Sequence, residues 1–206
     1  VLCEWTEMLS LSPEVNRWKS LNTLIREGNT YHAENTDVWA GVALLENFFF
    51  FETSKRVVIW GSGGVARSLA LALSEKNCSI RIQARNEKKG KVLAYDCGGE
   101  FIPWETPILE PVDLLIQGTP VGMIPHTQQI PASLQLFQRG LGLLLETIYR
   151  PTETLLMQQA RKAGIQVISG LDFFLRQAYF QQTLMTGTVY SMKRWKKRLL
   201  MSLRGA

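Results

Sequence analysis

The chain has 206 residues, 46% of them hydrophobic and 20% charged, which is enough apolar content for a full core and too much for a disordered polymer. Its apolar clusters, LENFFFFE (45–52) and GLGLLLETI (140–148), are short and interrupted, which excludes a helical membrane span of roughly 18 apolar residues. The net charge of +5 is gathered at one end: Lys193, Arg194, Lys196, Lys197, Arg198 and Arg204 follow Thr186 with no acid among them, leaving the rest at −1, so the body offers no basic field for nucleic acid or a membrane surface.

Val1 stands where a Met would start a complete chain, and no signal-like segment follows, so the chain is expected to begin inside a longer protein. Cys3, Cys78 and Cys97 are odd in number and at no ligand spacing; neither a disulfide framework nor a metal site is expected, and a reducing cytoplasm is the expected location. In chain order, Ser12 reads as the N-cap of a short helix with Pro13 in its first position, and LNTLIRE (21–27) and TYHAE (30–34) around a Gly-Asn turn read as paired strands. Beyond Asp37, Val38, Gly41, Val42 and Leu45 recur at helical spacing. Strands and helices then alternate: RVVIW (56–60), a helix from Gly63 to Glu75, SIRIQ (79–83), a helix near Asn86 to Tyr95, EFIP (100–103), VDLLIQ (112–117), a segment near Ala132 to Gln138, LGLLLETI (141–148), a helix from Thr152 to Ala163, IQVIS (165–169) and a long helix from Leu171. Apolar strands spaced by helices of about ten residues predict a parallel sheet covered on both faces, a doubly wound Rossmann-like α/β fold. At the end, Trp195, Leu199 and Leu203 share one helical face; a packed terminal helix with a solvated basic face is the plain reading, and attraction to phosphate or lipid the other.

The first strand of the series runs into WGSGGVARSLALAL (60–73). A strand entering a helix through glycines lets the backbone approach a pyrophosphate, whose charge meets free amides at the positive helix end. Gly61 makes the tight turn, Gly63 permits the approach, and Ala66 takes the small position where helix packs on strand; Ser62, Gly64 and Val65 complete the loop. A simple glycine turn is the competing reading. Where NAD would meet an acid after the next strand, this chain has Gln83, Ala84 and Arg85, then Asn86, Lys88 and Lys89. Arg85 and Lys89 suit a 2′-phosphate, and hence NADP, against a merely solvated basic helix start.

Several motifs in one order now resemble the shikimate dehydrogenase family over almost the whole chain: Asn22-Thr23, Asn35-Thr36-Asp37, the glycine turn, TPVGM (119–123), YRPTETLL (149–156) and GLDFFLRQA (170–178). The resemblance implies NADP-dependent, reversible reduction of 3-dehydroshikimate. It implies that Asn22, Asp37 and Gln177 contact a small polyol carboxylate and that Asp37 is catalytic. It further implies that Thr119, Pro120, Val121, Gly122, Met123 and Gly170 lie at the nicotinamide end. Two amides and an acid supply the donors and acceptors a polyol needs; each also has a plainer use, Asn22 in a turn, Asp37 as a helix cap and Gln177 on an exposed helix face. The chain departs from the family pattern at Lys19, Ser20, Gln117, Gly118 and Glu146, and the family's proton-shuttling lysine falls at or beyond Val1, so Lys19 does not inherit that role. A degenerate NADP-binding module, and an enzyme accepting quinate as well as shikimate, stay open. The implied layout is the end of a truncated α/β substrate domain at 1–36, a linking helix at 37–52, the nucleotide domain at 53–169 and helices at 170–206 returning to the substrate domain. His32 and His126 are expected in loops without catalytic roles.

Overall fold

A computed structural model describes residues 9–48, 53–132 and 134–204. Cys3, the end of the expected linking segment and Ser133 lie outside the described residues.

The order along the chain is β1 (Leu9–Leu11), α1 (Pro13–Trp18), β2 (Thr23–Glu27), β3 (Thr30–Glu34), α2 (Thr36–Leu45), β4 (Lys55–Trp60), α3 (Gly64–Ser74), β5 (Cys78–Ala84), α4 (Glu87–Asp96), β6 (Glu100–Pro103), β7 (Val112–Gln117), α5 (Gln135–Gln138), β8 (Leu141–Glu146), α6 (Leu155–Lys162), β9 (Gln166–Ile168), α7 (Gly170–Thr186) and α8 (Met192–Arg204). Six parallel strands form one sheet in the order β6-β5-β4-β7-β8-β9. The sheet starts at β4 and winds outward in both directions, so the strand order reverses between β4 and β7, the place where open α/β sheets hold ligands. The expected doubly wound sheet is present, with RVVIW at its centre.

Alternation along β4 divides the interior. Val57 and Ile59 face a layer containing Leu69, Leu73, Leu45 and Phe173, whereas Val58 and Trp60 face Leu136, Leu156 and Met157. Strands buried on both faces need the unbroken apolar runs seen in β4, β7 and β8.

A smaller sheet, ordered β1-β3-β2, precedes the large one. β2 and β3 form the expected hairpin, with Gly28 at φ +62 in its turn, a left-handed conformation that glycine adopts without steric cost. Leu9–Leu11 pairs parallel to β3, a strand the three-residue LSL gave no periodic signal for. The hydroxyl of Ser12 accepts from the Val15 amide with Pro13 opening α1, as the sequence predicts. Two helix starts differ from expectation, α6 falling later and α2 earlier, for one reason: side-chain caps set them. Thr154 accepts from the Met157 amide and starts α6 at Leu155, and Asn35 rather than Asp37 caps α2, which leaves Asp37 in the first turn.

At the other end, Lys196 pairs with Asp172 at 2.6 Å and Trp195 meets the ring of Tyr179 edge-on at 5.6 Å. These contacts seat α8 on α7, the packed arrangement of the two read from its sequence. No helix among the described residues is long and apolar enough to cross a membrane.

Candidate functional site

The loop after β4 is built for close approach. Gly61 has φ +108, and a Cβ there would lie 2.8 Å from the Gly118 carbonyl oxygen, so no other residue fits this turn without strain. Its amide donates to the Gln83 carbonyl and the Gly118 amide to that of Trp60, each at 2.8 Å, fastening the ends of β4, β5 and β7 together. Gly63 is the N-cap of α3 and provides no side-chain cap, and nothing lies within 4 Å of a Cβ added at Gly63 or Gly64. The start of α3 therefore has open space beside Gly63 and Gly64, no side-chain cap and no acid in its first turn, the conditions under which a helix end attracts an anion. Ala66 is fully buried, and a Cβ on Gly118 would sit 3.1 Å from its own, so Ala66 packs where the helix meets the strand ends.

A cleft of about 480 Å³ opens over this loop, lined by Gly61, Ser62, Gly63, Ala84, Arg85, Asn86, Trp104, Gly118, Thr119 and Pro120. Seven of the residues expected at a cofactor thus share one cavity. Gly64, Val65, Ala66, Lys89, Val121, Gly122, Met123 and Gly170 are not among its lining residues. Asn86 also caps α4, accepting from the Lys89 amide at 2.9 Å. Arg85 is exposed and makes no ion pair among the described residues, and no acid lines the cleft.

Beside Thr119 the loop is stapled by Gln117, a fully buried side chain at the end of β7. Its Oε1 accepts from the Thr119 amide and its Nε2 donates to the Val121 carbonyl, both at 2.9 Å. Gly122, at φ +98, completes the turn. Gly170 has a packing reason of its own: a Cβ there would lie 1.9 Å from the Ile148 carbonyl oxygen, so only glycine lets the start of α7 rest on that backbone.

The two Asn-Thr pairs, thirteen residues apart in sequence, meet in space. Asn22 Oδ1 accepts from the Thr23 hydroxyl at 2.8 Å and from the Thr36 amide at 3.0 Å. With both lone pairs engaged, the Thr36 hydroxyl, 3.2 Å from Asn22 Oδ1 and from Gln177 Oε1, directs its proton to Gln177. Both amides are thereby oriented oxygen-inward, with their NH2 groups left to donate. Asn22 also hydrogen-bonds the Asp37 side chain; burial raises the Asp37 pKa above its ordinary value, and that bond pulls part of the way back. Gln181 of α7 adds a donor to Thr23 at 3.2 Å.

This cluster adjoins the glycine loop through Asn35. Its Nδ2 donates to the Ser20 carbonyl and to Ser68 Oγ, each at 2.9 Å, and Ser68 in turn donates to the Gly64 carbonyl in the first turn of α3. Asn22, Asp37 and Gln177, predicted as one group, are brought together by β2, α2 and α7. Thr36, which ties them, stands in the Asn35-Thr36-Asp37 motif with no role of its own legible from the sequence. His32 lies in β3 and not in a loop, and it pairs with Glu34 at 2.8 Å; the Glu34 carbonyl accepts from the Asn22 backbone amide at 3.1 Å. A larger groove of about 700 Å³ between α7 and α8, lined by Tyr190, Arg194 and Trp195 among others, includes none of the predicted site residues.

Glu146 is a fully buried carboxylate at the end of the strand next to β7. It ends β8 and accepts from the amides of Thr147 (2.9 Å) and Ile148 (3.0 Å) and from the Thr154 hydroxyl (2.8 Å). Burial still outweighs those bonds and pushes its pKa up to about 7. It holds the 147–154 loop, where Tyr149 stacks on Phe174 of α7 at 4.5 Å.

No family model matches the chain. Among curated proteins it is 31% identical over 191 residues to the NADP(+) shikimate dehydrogenase of Moorella thermoacetica, covering 86% of this chain and 64% of that protein. It is 30% identical over 202 residues to that of Methanosarcina acetivorans, covering 93% of this chain and 71% of that protein. The chain thus spans about two thirds of the length of such relatives. A shikimate dehydrogenase crystallised with NADP+ superposes with a TM-score of 0.84 at 25% identity, over 97% of this chain and 72% of that one. With sequence kinship of that extent on the same doubly wound sheet, the chain belongs to the shikimate dehydrogenase family.

Proposed function

We propose that the chain carries the nucleotide site and part of the substrate pocket of an NADP-dependent dehydrogenase that interconverts 3-dehydroshikimate and shikimate. The observation that carries this reading is the Asn22–Thr36–Asp37–Gln177 cluster, tied through Asn35 and Ser68 to the first turn of α3. A polyol reduced by hydride must be gripped by directional donors and acceptors within reach of the nucleotide, and the amide NH2 groups and the Asp37 carboxylate supply both. The names of the relatives, NADP(+) shikimate dehydrogenases, support the same substrate and cofactor.

The residues present fit NADP. The uncapped α3 end and open space at Gly63 and Gly64 suit the pyrophosphate. Arg85, exposed at a cleft without acids, suits the 2′-phosphate. When bound, NADPH supplies the hydride. Asp37 takes a hydrogen bond from a substrate hydroxyl or holds a neighbouring cation, and Asn22 and Gln177 orient the ring. The resemblance to the family implies a lysine upstream of Asn22 as the general acid, and Lys19, the exposed C-cap of α1, does not take that role.

The test is NADPH oxidation with 3-dehydroshikimate, by the 206-residue chain and by the chain extended with its native upstream residues. The extended protein is expected to turn over and the shorter one to bind NADP with little turnover. Brisk activity in the shorter chain would overturn the lysine assignment. Cofactor binding without turnover in the extended protein would leave a nucleotide-binding module that has lost its chemistry.

A further inference from the structure

We infer that Trp104 is the base platform of the nucleotide cleft: the purine ring lies on its indole, across from Arg85, and Gln83 is the positioning residue that holds the indole there. This rests on the nucleotide reading above and assigns a residue which that reading lacked.

Trp104 follows β6 and lines two cavities at once. One is the cleft shared with Arg85 and Asn86; the other is a smaller space of about 160 Å³ behind it, lined by Trp60, Gln83 and Leu136 among others. Trp104 therefore stands at both cavities, half-buried, with its ring edge-on to that of Trp60 at 6.5 Å and 64°.

Gln83 explains why it stays there. It sits at the strand end where an NAD-type site would offer a carboxylate to the ribose, yet it is 2% exposed and spent on the protein. Its Oε1 accepts from Trp60 Nε1 at 2.9 Å, and its Nε2 donates among the carbonyls of Pro103 (3.2 Å), Trp104 (3.1 Å) and Thr106 (2.8 Å). One buried amide thus pins the turn bearing Trp104 to the sheet. A side chain so consumed reads no ribose hydroxyl; it prepositions the indole.

The location selects the base. Pyrophosphate belongs at the α3 N-terminus, and β5 and β6, which carry Arg85 and Trp104, lie on the side of β4 opposite β7 and the TPVGM loop. The nicotinamide end falls toward that loop, so the ring reaching Trp104 is the adenine. A purine between an indole face and a guanidinium gains stacking on one side and a cation–π contact on the other.

The experiment is calorimetric titration of the 206-residue chain with NADP+, with adenosine 2′,5′-bisphosphate and with inorganic pyrophosphate, in wild type, Trp104→Phe and Trp104→Leu. Leucine keeps apolar packing on Trp60 without a π face, and phenylalanine restores one. Trp104→Leu should weaken both adenine ligands by about tenfold and to the same extent, leave pyrophosphate unchanged, and recover to within about threefold in Trp104→Phe. Wild-type affinity for both adenine ligands in Trp104→Leu would overturn the platform while leaving the nucleotide site standing. An equal loss for pyrophosphate would reduce Trp104 to a packing residue. Wild-type protein that binds neither adenine ligand would refute the platform and the nucleotide reading together.

Discussion

Replacing Glu146 by Gln should make the chain less stable in mild acid and more stable above neutrality. The Glu146 side chain is fully buried, and its pKa stands at about 7 against an ordinary 4.5. A raised folded-state pKa means that the folded chain binds more protons than the unfolded chain between those values. Stability is therefore complete below about 4.5, declines as pH rises through about 7, and is level beyond. At about 1.4 kcal/mol per pKa unit, ionising this group costs about 3 kcal/mol at pH 8. Gln keeps the shape and lets its Oε1 accept from the Thr147 and Ile148 amides, but its NH2 faces Thr154. That hydroxyl already accepts from the Met157 amide, so it loses the acceptor for its own proton, a loss of about 1 kcal/mol. Glu146→Gln should thus trail wild type by about 1 kcal/mol at pH 4.5 and lead by about 2 kcal/mol at pH 8, the two curves crossing between. Urea unfolding of both proteins at half-unit steps across this range measures the difference, in which every other titrating group cancels. For a chain of this size the same shift is worth about 2–4 °C of melting temperature per kcal/mol. Parallel curves would refute the reasoning, because they would mean that Glu146 ionises alike in the folded and unfolded chain.

Gly170→Ala must push a methyl to within 1.9 Å of the Ile148 carbonyl; a loss of about 3 kcal/mol in urea unfolding is expected, and a wild-type midpoint would show that α7 shifts freely. Gly63→Ala meets nothing within 4 Å, so stability should hold within about 1 kcal/mol while NADP binding, followed by titration, weakens; undiminished affinity would remove the pyrophosphate from this loop. Arg85→Ala should weaken NADP about tenfold or more and NAD little, since a bond to a charged group is worth about 1.5–3 kcal/mol; equal losses would mean that Arg85 only packs. In the upstream-extended protein, Thr36→Val removes the proton that orients Gln177, so turnover of 3-dehydroshikimate should fall about tenfold with NADP affinity intact; a loss confined to NADP binding would contradict its place in the substrate cluster.

Much of this was legible locally. Apolar runs such as VVIW and LLIQ between amphipathic helices specify buried parallel strands, because a strand covered on both faces needs every residue apolar and a surface helix needs only one side. Ser12, Pro13 and the glycines after Trp60 mark element ends through backbone chemistry that acts over three or four residues. The glycine loop was recognisable for that reason, and so was the absence of an acid after β5.

What the sequence could not show alone is pairing across distance. Thr36 and Gln177 are 141 positions apart, and no periodicity encodes that one will orient the other's amide; only the packing of α7 along α2 decides it. Gln83, Gln117 and Glu146 look like ordinary polar strand ends, and only when neighbouring strands close over them do their side chains become the acceptors and donors of otherwise unpaired backbone groups. A buried polar group must find partners or lose its solvation energy, and those partners come from loops whose positions the sheet order sets. Local periodicity chose the elements, whereas the tertiary fold chose which polar residues fasten the loops around the cleft.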